Sequence, residues 1–202
     1  MRYYLILLFF LFCHSVGAHA SGCDLVIDKG VTIPSLNYFQ APRGPSADEV
    51  DTLSFRLENV SAKILARFGF DVIHNPSEIM DGGVRDDYLK QKKVEGLSNE
   101  RTPDYMIEGR IFDNYAPETN LASLVVDGIF KKIKKKQTHR VVVNLMKNQS
   151  FKNGDWTLED LQRLIKERAS GQLWEVVVVH GKESKATVEV IYPDHFVLPP
   201  PK

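Results

Sequence analysis

A chain of 202 residues with 26 basic and 26 acidic side chains has no net formal charge. That balance argues against a dedicated nucleic-acid binder, because phosphate affinity rests on a surplus of Lys and Arg. The length suits one domain or two small ones, and 43% hydrophobic residues are enough to bury a core without disulfide support.

Met1 and Arg2 give a short positive start, Tyr3 to Phe12 is almost unbroken apolar sequence, and Ala18-His19-Ala20 offers a small-x-small cleavage site before Ser21. Residues 1–20 therefore read as a secretory signal peptide. The apolar run is shorter than the roughly 20 residues that span a bilayer. An exported protein is expected, located in the periplasm or at the outer membrane, with full secretion as the alternative. Cys13 leaves with the leader, so Cys23 is the single cysteine of the mature chain and no internal disulfide forms. Ser21-Gly22-Cys23 resembles the end of a bacterial lipoprotein signal, which makes Cys23 a lipidation candidate. Ordinary cleavage after Ala20 is the leading reading and lipidation the alternative, since Ala20 stands where lipoprotein signals carry a Leu-like residue.

Leu25 to Ile33 can form a strand, and Ala41 to Ser46 reads as a Pro/Gly-rich loop. Ser46 or Asp48 can cap a helix in which Val50, Leu53, Leu57, Val60, Ile64, Leu65 and Phe68 share one stripe. Gly69 ends it, and Phe70 to Ile73 follows as a short strand. Ser77 to Gly96 is polar and predicts a helix pair or a mobile connection, with Asp81-Gly82-Gly83 as a breaker. Tyr105 to Phe112 reads as one strand, although Met106 and Ile107 break strict alternation. Leu121 to Lys136 fits either a helix, with Leu121, Val125, Ile129 and Ile133 in line, or an extended hairpin, because Gly128 weakens a helix. The β-branched runs Arg140 to Leu145 and Trp174 to His180 are strands. Thr157 starts a helix ending near Gly171, and Ala186 to Tyr192 pairs back through Gly181 to Ser184. Helices and strands alternate without regular βαβ spacing, so the expected class is α+β, a mixed sheet with helices packed mainly on one face. The expected layout is a leader at 1–20, an α+β domain at 21–145, a C-terminal helix and β-hairpin at 146–197 on the same sheet, and a Pro-rich tail at 198–202.

The helix that runs into Gly69-Phe70-Asp71-Val72, followed by Pro103-Asp104-Tyr105-Met106-Ile107-Glu108-Gly109-Arg110-Ile111, resembles a small α+β domain of bacterial envelope assembly lipoproteins. The curli-secretion lipoprotein, the penicillin-binding-protein activators and the N-terminal domain of the Tol-system propeller protein are of this type. The resemblance covers residues 53–111. It implies a non-catalytic protein that docks envelope partners.

No catalytic motif stands out. His74, His139, His180 and His195 have no metal-ligand spacing, and no cofactor is expected. Asp86-Asp87 and the pair Asp104 with Glu108 are carboxylates that a hydrolase could use, though solvated surface charge is the simpler account. Trp156 and Trp174 flank the C-terminal helix and are expected to be buried against the sheet. Lys131, Lys132, Lys134, Lys135 and Lys136 form the one dense charge cluster and are the candidate surface-binding residues for an anionic membrane or cell-wall glycan. The leading expectation is an exported accessory or assembly factor of a bacterial envelope complex that docks protein partners and binds no nucleic acid. A small cell-wall hydrolase or transferase and an anionic-surface binder are the alternatives.

Overall fold

Two antiparallel hairpins flank a parallel centre, and together they make one six-stranded sheet whose strand order follows the order of the chain. The computed structural model describes residues 49–78, 82–169 and 171–193. The leader, Cys23, the strand expected at Leu25 to Ile33 and the Pro-rich tail lie outside the described residues. In chain order the elements are α1 (Glu49–Arg67), β1 (Val72–His74), a 3-10 turn (Pro76–Glu78), α2 (Gly82–Val94), β2 (Tyr105–Ile107), β3 (Arg110–Tyr115), α3 (Ala122–Lys134), β4 (Arg140–Asn144), α4 (Gln149–Asn153), α5 (Leu158–Arg168), β5 (Glu175–Lys182) and β6 (Lys185–Tyr192).

The fold is α+β, a mixed sheet with helices packed mainly on one face. Strands β3, β4 and β5 are parallel, and the crossovers between them carry α3 and α5. Two successive right-handed crossovers that advance in one direction must lay both helices on the same face. Val125, Ile129 and Ile133 of α3 and Leu161 and Ile165 of α5 accordingly pack on Val141, Val143, Val176 and Val178. Helix α2 joins this side, with Tyr88 against Met106 and Ile111. The opposite face is covered by α1, whose Ile64 and Leu65 meet Phe112, Val142, Val177 and Val179. Alternate valines of one strand thus serve different cores, which is why β4 and β5 read as continuous apolar runs. Each buried Val or Ile contributes about 1.5–3 kcal/mol relative to exposure.

Local chemistry explains several boundaries. Thr157 accepts from Asp160 N while Asp160 accepts from Thr157 N, a reciprocal cap that fixes the start of α5. Leu121 to Lys136 resolves as helix rather than hairpin; Gly128 is tolerated within α3 because any Cβ there would collide with the Tyr115 ring. In the polar connection a 3-10 turn ends at Glu78 and α2 begins at Gly82, while Asp81 of the expected breaker lies outside the described residues. The single strand expected at Tyr105 to Phe112 is two strands. Glu108 and Gly109 both have positive φ, 49° and 71°, the two-residue turn geometry whose twist suits a tight hairpin. Met106 and Ile107 break the apolar alternation because β2 is buried on both faces, with Tyr105 and Ile107 in the core under α1 and Met106 packed with Tyr88 of α2. Among the described residues no helix is long and apolar enough to cross a membrane.

Candidate functional site

The β2–β3 hairpin creates the central feature of the molecule. Its register pairs Tyr105 with Phe112 and Ile107 with Arg110, and continuing that register outward by one residue sets Asp104 opposite Asp113. Residues directly opposite one another point to the same face, here the face that carries α3. Asn75 N donates to the Asp104 carbonyl at 2.7 Å, and Asn114 N donates to Asp104 Oδ2 at 2.7 Å, so both ends of Asp104 are held by backbone. Asp113 is wholly buried. Across the gap, Lys132 near the end of α3 places Nζ 2.6 Å from Asp113 Oδ2.

Two carboxylates and one ammonium leave this cluster short of positive charge. Burial, reinforced by Asp113 and Glu58 and only partly opposed by Lys132, holds the Asp104 carboxyl well above the ordinary aspartate range. Asp113 Oδ1 is buried with no donor among the described residues while both carboxyls are ionised; a proton on Asp104 supplies that missing hydrogen bond. Burial pulls Lys132 down, but Asp113 and Asp104 outweigh it and keep its ammonium above the usual lysine range. Burial, with Asp104 and then Asp113 adding to it, also pushes the Tyr88 phenol up. On the other side, Glu58 of α1 contacts His74 Nε2 at 2.5 Å, and its backbone carbonyl accepts from the Tyr105 hydroxyl at 2.7 Å. The arrangement sets Asp104, whose carboxyl resists ionisation, opposite Asp113 and beneath the Lys132 cation, suited to proton transfer next to an anionic group.

Lys132 connects this pair to the surface. Its side chain is 21% exposed while that of Asp113 is 1% exposed. Together with Tyr115, Gly128, Lys131, Lys135 and Gln137 it lines a cavity of about 320 Å³. Of the five lysines singled out from the sequence, Lys131, Lys134, Lys135 and Lys136 are exposed and Lys132 turns inward. The chain is neutral overall, yet five of its 26 basic residues crowd into residues 131–136, one of them against Asp113.

A second charged cluster lies at the starting ends of the parallel strands. Arg140 NH1 bonds Glu95 Oε1 at 2.7 Å, and Arg110 NH1 bonds Glu175 Oε2 at 2.6 Å. Arg140 Nε also lies 3.9 Å from Glu175 Oε2. Burial raises the Glu175 carboxyl, and Arg110 and Arg140 oppose that shift.

The remaining expectations sort plainly. Asp104 pairs with Asp113 rather than with Glu108, whose exposed Oε1 accepts from Asp71 N in the hairpin turn at 2.9 Å. Asp86 and Asp87 are exposed on α2. His74 is buried against Glu58, and His180 contacts Glu189 near the surface. Trp156 is buried as expected; Trp174 is 40% exposed. Sequence reading missed Asp113 and the inward role of Lys132 because a nine-residue separation acquires meaning only once the turn at Glu108-Gly109 fixes the register.

Comparison with known proteins bears directly on this cluster. A family model described as the contact-dependent growth inhibition CdiA C-terminal domain matches residues 101–186, a stretch containing Asp104, Asp113 and all five lysines. The chain is similar to the tRNA nuclease CdiA-2 of Burkholderia pseudomallei (strain 1026b), with 39% identity over 101 residues. That match covers 50% of this chain and 3% of the much longer relative. The fold is similar to the solved CdiA-CT/CdiI toxin and immunity complex from Burkholderia pseudomallei at a TM-score of 0.53 and 28% identity, over 74% of this chain and 96% of the solved one.

These findings overturn the expected kinship with envelope assembly lipoproteins. The motifs behind it, Gly69 to Val72 and Pro103 to Ile111, mark a helix-to-strand step and the run into a tight hairpin, features that many α+β folds need. The non-enzymatic docking role inferred from that kinship falls with it, as do the cell-wall hydrolase and anionic-surface alternatives. The exclusion of nucleic acid is corrected too, because net charge averages over a surface whose lysines are segregated.

Proposed function

We propose that this chain is a toxin domain of contact-dependent growth inhibition that cleaves tRNA at the Asp104–Asp113–Lys132 cluster. The observation that carries this reading is the position of the cluster: two aspartates under a lysine, inside the stretch that matches the CdiA C-terminal domain model, in a chain similar to a tRNA nuclease. In this reading the exposed lysines take phosphates of the RNA backbone, and the Lys132 ammonium meets the phosphate at which cleavage occurs, where it stabilises the charge of the transition state. Asp113 accepts the proton of the attacking hydroxyl as that oxygen bonds to phosphorus. Asp104 gives its proton to the leaving oxygen as the other phosphorus–oxygen bond breaks, and passage of the proton from Asp113 to Asp104 restores the pair. Export follows from a role that acts on neighbouring cells, and a cognate immunity protein is the expected partner, as in the solved relative.

Purified protein incubated with total tRNA should give discrete fragments on a denaturing gel, with and without added divalent ions in parallel lanes. Asp113→Asn and Asp104→Asn should each abolish the fragments while the circular dichroism spectrum stays folded. Intact tRNA under every condition, or undiminished cleavage by both variants, would remove the proposal.

A further inference from the structure

Trp174 is the large aromatic that helix-sheet packing fails to bury, and its surroundings hold it in place. Its N–H bonds the His139 carbonyl at 2.8 Å, and its ring stacks on the His139 imidazole with centroids 4.3 Å apart and planes 22° apart. The His139 nitrogens are held by the carbonyls of Gln172 and Glu95, at 2.6 Å and 3.0 Å. The Arg140 guanidinium lies 4.7 Å from the Trp174 centroid, and the indole Nε1 donates to the Gly171 carbonyl at 3.2 Å. A tryptophan that is 40% exposed yet fixed on several sides presents a rigid aromatic surface rather than a floppy one.

The sheet register relates this surface to the carboxylate site. Asp113 pairs with Val141, and Arg140 pairs with Glu175, so one further step brings His139 beside Trp174. His139 and Trp174 each stand one residue before a strand, at the starting ends of β4 and β5. Trp174 is two strands across and two residues along from Asp113, or about 12 Å by strand spacing and rise. The exposed Lys134, Lys135 and Lys136 immediately precede this region, and the Lys136 carbonyl is anchored by Ser98 N at 2.8 Å. Exposed lysines a few residues before His139, together with the fixed aromatic plane stacked on it, supply the charge and chemistry of a single-stranded nucleic-acid contact, with phosphates on lysines and a base on the ring.

We infer that Trp174, braced by His139, is a stacking platform for an unpaired base of the RNA, one or two nucleotides from the phosphate at Lys132. The inference rests on the tRNA-cleavage reading and assigns the substrate class of the same site: an unpaired loop or end rather than a continuous duplex, since only an unstacked base can lie on a side chain. Trp174 is a positioning residue and contacts no reacting atom.

The chain has two tryptophans, so Trp156→Phe leaves Trp174 as the sole reporter. Titrating that variant with a short single-stranded RNA should quench its fluorescence, whereas an abasic ribose-phosphate oligomer of equal charge should leave it unchanged. In the wild-type background, Trp174→Ala should weaken binding of the single-stranded RNA about tenfold or more and leave the abasic oligomer unaffected, while Trp174→Phe should recover most of the loss. Equal binding of base-bearing and abasic oligomers, or an unquenched Trp174, overturns the inference and leaves the exposed ring to a protein contact. Cleavage is read separately: tRNA cut by a protein whose Trp174 ignores bases refutes only the platform, and quenching without cleavage refutes only the nuclease reading.

Discussion

Both charged clusters of this molecule contain two carboxylates, yet they differ in what faces them. Glu95 and Glu175 meet two arginines, Arg140 and Arg110, whose planar forks match carboxylates one for one. Asp104 and Asp113 share a single Lys132. The first cluster is neutral by ion pairing, and the second approaches neutrality only by holding a proton. A group that must keep a proton near a surface opening can also release it. The comparison teaches that buried charge becomes chemistry where the cations run short, while a matched network of the same size ties α2 to the sheet.

Exchanging the perturbations should break the molecule in opposite ways. Asp113→Asn should reduce tRNA cleavage by about 10²–10³-fold, the scale of losing a group that acts in the transition state, with the chain still folded because Asp104 remains as a partner for Lys132. Arg140→Met should do the reverse in kind: it strands Glu95 and weakens the hold on Glu175, costing about 3–5 kcal/mol of stability, readable as a shifted urea midpoint. If Arg140→Met leaves stability intact and Asp113→Asn unfolds the chain, the two clusters have been assigned the wrong way round.

A smaller effect should sharpen the same contrast at the surface. Reversing Lys131, Lys134, Lys135 and Lys136 to Glu spares Lys132 and should change stability by only about 0.5 kcal/mol per site. RNA affinity should fall, and the slope of log affinity against log salt should lose about one unit for each lysine that contacts a phosphate. An unchanged slope would detach these lysines from the site.

The smallest expected effect is a pH dependence. Because the folded state binds the Asp104 proton more tightly than the unfolded chain, stability should decline as pH rises from the ordinary aspartate value of 3.8 through the raised folded value. Asp104→Asn keeps a donor toward Asp113 and should flatten that decline in melting temperature. A wild-type curve that instead rises through this window would show that Asp104 is stabilised as its anion.

Much of the scaffold was legible because its signals are local. The Val runs of β4 and β5, the Thr157–Asp160 cap and the Leu57–Ile64–Leu65 stripe each carry their own physics in a few consecutive residues. The site was not, because it depends on register. Asp104 looked like a partner for Glu108 on a single strand, but the turn at Glu108-Gly109 folds that strand back and brings Asp113 opposite instead. Five lysines within residues 131–136 look equivalent in sequence; only the placement of α3 over β3 selects Lys132. Trp174 read as core for the same reason: one residue before β5, it lies beyond the helices that bury Val176 and Val178.

The strand order has a kinetic consequence. Because β1 to β6 lie side by side in the sequence in which they are made, the sheet can grow at one edge, and no late strand has to insert between two earlier ones. Each addition closes a loop no longer than one crossover, which keeps the entropic cost of each step modest. A chain that emerges N-terminal end first can therefore begin assembling its sheet before its last hairpin is available.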